Sequence, residues 1–126
     1  MKIELDFTED SKNRIDSYQN GVIIINGESY LSSVVVTPEK VIPEWGPDSH
    51  NDLASQHIAQ IITLNPEIII FGTGQHTIQL DQELLIPVLD AGIGYEIMDT
   101  GAACRCYNLL MGEGRNVASG LLQINI

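Results

Sequence analysis

The run Glu67-Ile-Ile-Ile-Phe71 is apolar after its first residue and is bounded by Asn65-Pro66 before it and Gly72-Thr-Gly74 after it. A strand without polar alternation has to be covered on both faces, which is the situation of a parallel strand flanked by helices. Its surroundings carry the same message. Leu53, Ala54, His57, Ile58, Ile61, Ile62 and Leu64 recur at helical spacing before it. Ser49 and Asp52 resemble a capping arrangement at the start of that helix, and Asn65-Pro66 stops it. A second helix is expected over residues 82–91, a strand over 95–98 after Gly92-Ile-Gly94, a third helix from near Gly101, and a last strand over 117–124. Helices alternating with strands imply a largely parallel C-terminal half.

The first third reads differently. Gly21-Val-Ile-Ile-Ile25 leads into Asn26-Gly27, a tight-hairpin signal, and Glu28-Ser-Tyr-Leu31 returns. Ser33-Val-Val-Val36 is a further strand, Thr37-Pro-Glu-Lys40 a turn, and Val41-Ile-Pro-Glu-Trp45 a strand whose Pro43 suits a sheet edge. At 126 residues the chain fits one domain, with a β-rich part over 1–47 and an αβαβαβ part over 48–126. Ile23, Ile24 and Val35 need cover, and packing the β region onto the same sheet or its helices is the simplest way to give it. Two layers sharing one core is the expected outcome.

The formal charge of −11 repels phosphate backbones and anionic membranes, so nucleic acid is not an expected partner. No apolar run approaches the roughly 20 residues of a membrane-spanning helix. The acidic opening, residues 1–10, lacks the apolar core of a secretory signal and the character of a transit peptide. Cys104 and Cys106 are the only cysteines. On a helix, positions two apart point about 200° from each other, so the pair is read as free thiols in a reducing compartment, the cytoplasm.

The most polar corner is the start of the third helix. Asp99 and Thr100 are both suited to cap it, and Gly101 permits close approach. With Thr100 as the cap, Ala102, Ala103, Cys106, Leu109 and Leu110 form its apolar stripe, opposite Gly101, Cys104, Arg105 and Asn108. A guanidinium near a helix N-terminus calls for a negative neighbour. Either an internal carboxylate such as Asp99 or Glu113 supplies it, or a bound carboxylate or phosphate does, held by helix N–H groups, Thr100 and Arg105. Gly72, Thr73 and Gly74 belong to the same corner, because ligands in open parallel sheets collect beyond the carboxyl ends of strands. The candidate ligand-binding residues are therefore Gly72, Thr73, Gly74, Asp99, Thr100, Arg105 and Asn108.

No standard nucleotide motif is met: Gly72-x-Gly74-x-x-Thr77 lacks the third glycine of a dinucleotide fingerprint, and there is no phosphate-loop lysine. His50 and His57 stand about 10.5 Å apart along a helix, too far for one ion, so no metal and no cofactor are assigned. His57 is expected to border the core and His76 to sit in a polar loop. Trp45 is expected to plug the gap between the β region and the helices, with a partner-anchoring role as the alternative. No catalytic residue is assigned. Cys104, early in a helix, has the setting of a somewhat lowered thiol pKa.

The segment Met98-Asp-Thr-Gly-Ala-Ala-Cys-Arg-Cys-Tyr-Asn108, followed by Gly112-Glu-Gly-Arg115, resembles a small single-domain family of unknown biochemical function. Its eukaryotic relatives include the mitochondrial respiratory complex I assembly factor 3. Phe71-Gly-Thr-Gly74 and Val41-x-x-x-Trp45 match as well, while Cys106 stands where the family usually has Thr. The resemblance implies a three-layer α/β domain in which an N-terminal antiparallel β region packs on a mixed, largely parallel sheet flanked by helices. It implies no established enzyme. The favoured reading is a non-catalytic binding or assembly factor with a protein partner, as monomer or homodimer, without membrane insertion. The alternative is a protein that binds a small anion or metabolite, with weak catalysis by Asp99 or Cys104 conceivable.

Overall fold

The computed structural model describes residues 12–126; the acidic opening of the chain lies outside the described residues. Three strands form a separate antiparallel sheet: β1 (Ile15–Gln19), β2 (Val22–Ile25) and β3 (Glu28–Tyr30). Asn26 and Gly27 turn β2 into β3 with φ of 50° and 83°, the positive values that a two-residue hairpin of this twist needs. β1 has no counterpart among the strands expected from sequence. Its Asp16, Ser17 and Gln19 dilute the apolar alternation, and pairing with β2 is what makes it a strand.

A five-stranded mixed sheet holds β4 (Val34–Val36), β5 (Val41–Pro43), β6 (Ile68–Gly72), β7 (Gly94–Met98) and β8 (Val117–Leu121) in the order β5-β4-β8-β6-β7. β6 pairs in parallel with β7 and β8, whereas β4 is antiparallel to β5 and β8. β5 is an edge strand, so Pro43 breaks no ladder. The β-rich third of the chain is thus divided, its first hairpins forming their own sheet and its last hairpin extending the main one.

Helices α1 (Ser55–Ile62) and α2 (Gln82–Asp90) cover one face of the main sheet. Ile58, Ile61, Leu85 and Val88 pack there on Val35, Ile69, Phe71 and Ala118. α3 (Thr100–Gly112) and the small sheet cover the other face, where Ile23, Ile25 and Tyr107 meet Val34, Ile70 and Leu121. β6 shows the consequence directly: Ile69 and Phe71 belong to one core and Ile70 to the other. The three layers are those the family resemblance implied, and their two cores replace the single core expected from the residue pattern, because the small sheet lies across the main sheet's second face beside α3.

Two helix starts differ from expectation. Ser49 makes no side-chain cap, and residues 50–52 form a single 3₁₀ turn ahead of α1, which begins only at Ser55. There His57 Nδ1 accepts the Ala54 N–H at 3.0 Å, doing the work of a cap. In α3 the cap is Asp99, whose carboxylate accepts the Ala102 N–H at 2.9 Å, and Thr100 is the first helical residue. The buried stripe of α3 is accordingly Thr100, Ala103, Cys104, Tyr107 and Met111, while Leu109 is 63% exposed. Small residues on both sides of this helix left the phase of its apolar face undetermined by sequence.

Candidate functional site

The loop after β6 and the start of α3 are tied together at the carboxyl ends of the parallel strands. The Gly74 N–H donates to Thr100 Oγ1 at 2.8 Å, and the Thr100 N–H returns to the Gly74 carbonyl at 2.9 Å. The Thr100 hydroxyl donates to the Leu122 carbonyl at 2.6 Å, bringing the end of β8 into the same knot. Thr73 holds the loop itself, donating to the His76 carbonyl at 2.6 Å and accepting the Ile78 N–H at 3.1 Å. Gly72 is closely packed: a Cβ there would stand 3.0 Å from both Thr100 Oγ1 and Leu121 Cδ2, so these neighbours would have to give by a few tenths of an ångström.

Arg105 and Asn108 face β1 instead. The Arg105 guanidinium donates to the Tyr18 hydroxyl. Asn108 accepts the Ile15 N–H at 3.0 Å and donates to the Ile15 carbonyl at 2.8 Å. Neither Asp99 nor Glu113 is paired with Arg105, and Tyr18 was invisible as a partner because β1 was not expected as a strand. The seven candidate residues therefore fall into two groups, five at the strand ends and two on the face of α3 that docks the small sheet. The other C-terminal base, Arg115, pairs with Glu67 at 3.0 Å. The Asn116 N–H and that guanidinium hold the Glu67 carboxyl below its ordinary pKa.

Cys104 is buried, and burial pushes its thiol up to about 12, outweighing the opposing pull of Arg105. This reverses the lowered value expected near a helix N-terminus, because desolvation of a thiolate costs more than one turn of helix dipole returns. Burial likewise raises the Cys106 thiol.

Beside the knot lies a cleft of about 200 Å³, lined by Asp48, His50, Thr73, Gly74, His76 and Gln123 among others. Its position follows from the topology. β6 leads through residues 73–81 to α2 on one face, while the chain leaving β8 runs to the small sheet on the other, where Asn20 bridges Ile124 and the Gly21 N–H donates to the Ile124 carbonyl. Neighbouring parallel strands whose continuations part to opposite faces leave a crevice between them. Gln123, only 7% exposed, donates from Nε2 to the carbonyls of Tyr30 at 2.9 Å and Ser32 at 2.8 Å. Among the described residues its Oε1 is buried without a hydrogen-bond partner, a cost of about 1–3 kcal/mol for such a group. Sequence reasoning placed Gln123 in the last strand and gave it no role, and no local pattern marks it.

The profile of a family described as "Protein of unknown function (DUF498/DUF598)" matches residues 15–122. The chain belongs to this family. All seven candidate residues fall inside the matched span of this DUF498/DUF598 chain, and Gln123 stands just past it. The human NADH dehydrogenase [ubiquinone] 1 alpha subcomplex assembly factor 3 is 34% identical over 110 residues, which cover 86% of this chain and 59% of that protein. The chain thus spans about three-fifths of the length of this relative. A "13 kDa major membrane protein" of Francisella tularensis is 30% identical over 80% of this chain and 83% of its own. Among the described residues of the present chain, no helix is long and apolar enough to cross a membrane. A Bordetella parapertussis protein of known crystal structure has 34% identity and a TM-score of 0.85, over 90% of this chain and 97% of that one.

Proposed function

We propose that this chain is a non-catalytic accessory factor of the cytoplasm that acts by binding another protein. The observation that carries the reading is its 34% identity, across 86% of its length, to a human protein named as an assembly factor. The structure supports it through the use made of the polar side chains: Thr73, Thr100 and Asn108 join loops, helix and strands to one another. The test is affinity capture with tagged chain from lysate of its own organism, compared quantitatively with an unrelated tagged domain. A defined protein enriched in repeated captures, and co-eluting with the chain when both are purified, is the expected result. Repeated enrichment of nothing above the control overturns it.

A second reading, a small-anion site around Gly72, Thr73, Gly74, Asp99, Thr100, Arg105 and Asn108, is favoured by the meeting of residues 72–74 with 99–100 at the strand ends. The Asp99 carboxylate at the mouth of α3 and the committed Gly74 N–H weigh against it. A ligand at 100 times its dissociation constant adds about 2.7 kcal/mol of stability. An anion that raises the melting temperature, with the rise lost in Arg105→Ala, is the result this reading expects. An anion panel without effect removes it.

A further inference from the structure

We propose that the outer edge of β7 binds an extended segment of a partner protein, a strand in which apolar residues alternate with basic ones, adding to the main sheet with a Lys or Arg beside Glu96. The proposal rests on the protein-binding reading and deepens it by naming the surface and the partner's chemistry. β7 ends the main sheet and pairs with β6 alone. The Gly94 N–H donates to the Glu67 carbonyl and the Met98 carbonyl accepts the Thr73 N–H, so the backbone groups of residues 94, 96 and 98 turn inward to β6. Those of Tyr95 and Ile97 turn outward, and among the described residues they have no partner. The Asp99 N–H, next in the outward series, is taken by Thr77 Oγ1 at 3.0 Å, which closes the row at that end. Such a row is a template for another strand. The opposite edge of the sheet is blunted, since β5 has three residues and one of them is Pro43, whereas β7 runs five residues in unbroken register without a proline.

The helices beside this edge leave apolar side chains uncovered. α1 lies over β8, where Ile61 meets Gly120, and α2 lies next to it over β7. Leu84 of α2 shares a hollow with Leu53 on the side of α1. Ile86 and Leu89 stand about 200° and 140° round the helix from Leu84, on the side of the open edge, and both are exposed. On the other face of the sheet lies Cys106 of α3, whose thiol is raised by burial and by the charge of Glu96, and Leu109 one turn further on is exposed. A strand added at β7 thus meets apolar surface on both of its faces. Charge selects which strand. Glu96 is exposed in the middle of β7, Glu83 and Asp90 are exposed on α2, and no Lys or Arg occurs from residue 41 to residue 104. Arg105 is turned away to Tyr18. A second copy paired about the centre of β7 would set Glu96 against Glu96 and join two chains of charge −11, whereas a basic strand brings the opposite charge to the same place.

The experiment is a ¹H–¹⁵N NMR titration of the full chain with a capped peptide of about eight residues alternating valine and lysine. Saturable shifts of the Tyr95 and Ile97 amides are expected, with slower hydrogen exchange at both. The same peptide with glutamate in place of lysine should not bind. N-methylation of every second peptide residue removes the donors along one of its edges, so it should abolish binding in one phase and spare it in the other. Glu96→Lys, a change at an exposed side chain, should leave the melting temperature in place, weaken the lysine peptide about tenfold, the scale of exchanging an attractive cross-strand pair for a repulsive one, and admit the glutamate peptide. A lysine peptide that does not saturate, equal binding of the two peptides, or two N-methylated phases that behave alike overturns the proposal. A dimer in sedimentation whose formation protects the Tyr95 and Ile97 amides assigns the edge to a second copy and overturns it as well. The titration is read on the purified chain, so its failure leaves the lysate capture to judge the protein-binding reading. A partner that Glu96→Lys still captures in full keeps that reading and overturns the assignment to β7.

Discussion

The side-chain amide of Asn108 grips the backbone of Ile15 at both its polar groups, accepting the N–H at 3.0 Å and donating to the C=O at 2.8 Å, across 93 positions of sequence. A strand edge has unpaired backbone groups that need partners, and here a helix supplies them in place of another strand. Asn108→Ala should therefore destabilise the fold by about 1–3 kcal/mol, the net worth of two such bonds plus the cost of stranded backbone groups. Urea unfolding followed by circular dichroism checks it, and a loss below a few tenths of a kcal/mol means that β1 docks without the clamp.

Thr100 is fully buried and serves two loops with one hydroxyl. Replacing it by Val keeps the shape and leaves the Gly74 N–H and the Leu122 carbonyl unpaired, so a loss of about 2–4 kcal/mol is expected. Thr100→Ser keeps both bonds and gives up only a methyl group, about 1 kcal/mol. The contrast between the two variants in equilibrium denaturation is the measurement, and equal losses would show that packing, not the hydroxyl, matters here.

Gly120 lies under the indole of Trp45, where a Cβ would come within 2.7 Å of the ring and 3.0 Å of Ile61 Cδ1. Gly120→Ala should cost about 1–3 kcal/mol through overpacking. Trp45 is the only tryptophan and is 4% exposed, with its Nε1 donating to the His57 carbonyl, so its fluorescence reports the displacement directly. A red-shifted emission in the folded variant, together with a lower unfolding midpoint, is expected.

Stability should fall in alkali. Burial raises the thiol of Cys104 from 9.0 to about 12, and the Tyr107 hydroxyl is raised by burial as well. Each group is held in its protonated form by folding, so its contribution is complete below the pKa of the unfolded chain. Above that value the unfolded chain releases the proton first, and stability declines until the folded pKa is reached. For Cys104 the window runs from about pH 9 to about 12. Urea midpoints measured from pH 8 upward should drop across it, and Cys104→Ala should flatten part of the slope; an unchanged slope would assign the decline to other groups.

Much of the frame was legible in the residues. The Ile68-Ile-Ile-Phe71 run required cover on both faces, and β6 has it. Asn26-Gly27 required a tight turn, and Pro43 an edge. These features were readable because each is decided locally, by the alternation of side chains, by a backbone angle or by a missing N–H. β1 was not legible, because its residues have little local preference and become a strand only against β2. The face of α3 was misphased for a related reason: Ala102, Ala103, Cys104 and Cys106 are all small enough for either side, and only the neighbours choose.

The candidate site divides along the same line. Residues 72–74 and 99–100 were expected together because strand ends and helix starts adjoin in any parallel sheet, whereas the partners of Arg105 and Asn108 are set by a strand some 90 positions away. The amino-acid order by itself determined the alternation of elements, the turns and the meeting of loops at the carboxyl ends of the parallel strands. Only the tertiary structure decided which polar atoms were used up in holding those loops and that, among the described residues, the buried Gln123 Oε1 was left without a partner, because hydrogen-bond satisfaction depends on every neighbour in space and leaves no local trace in the chain.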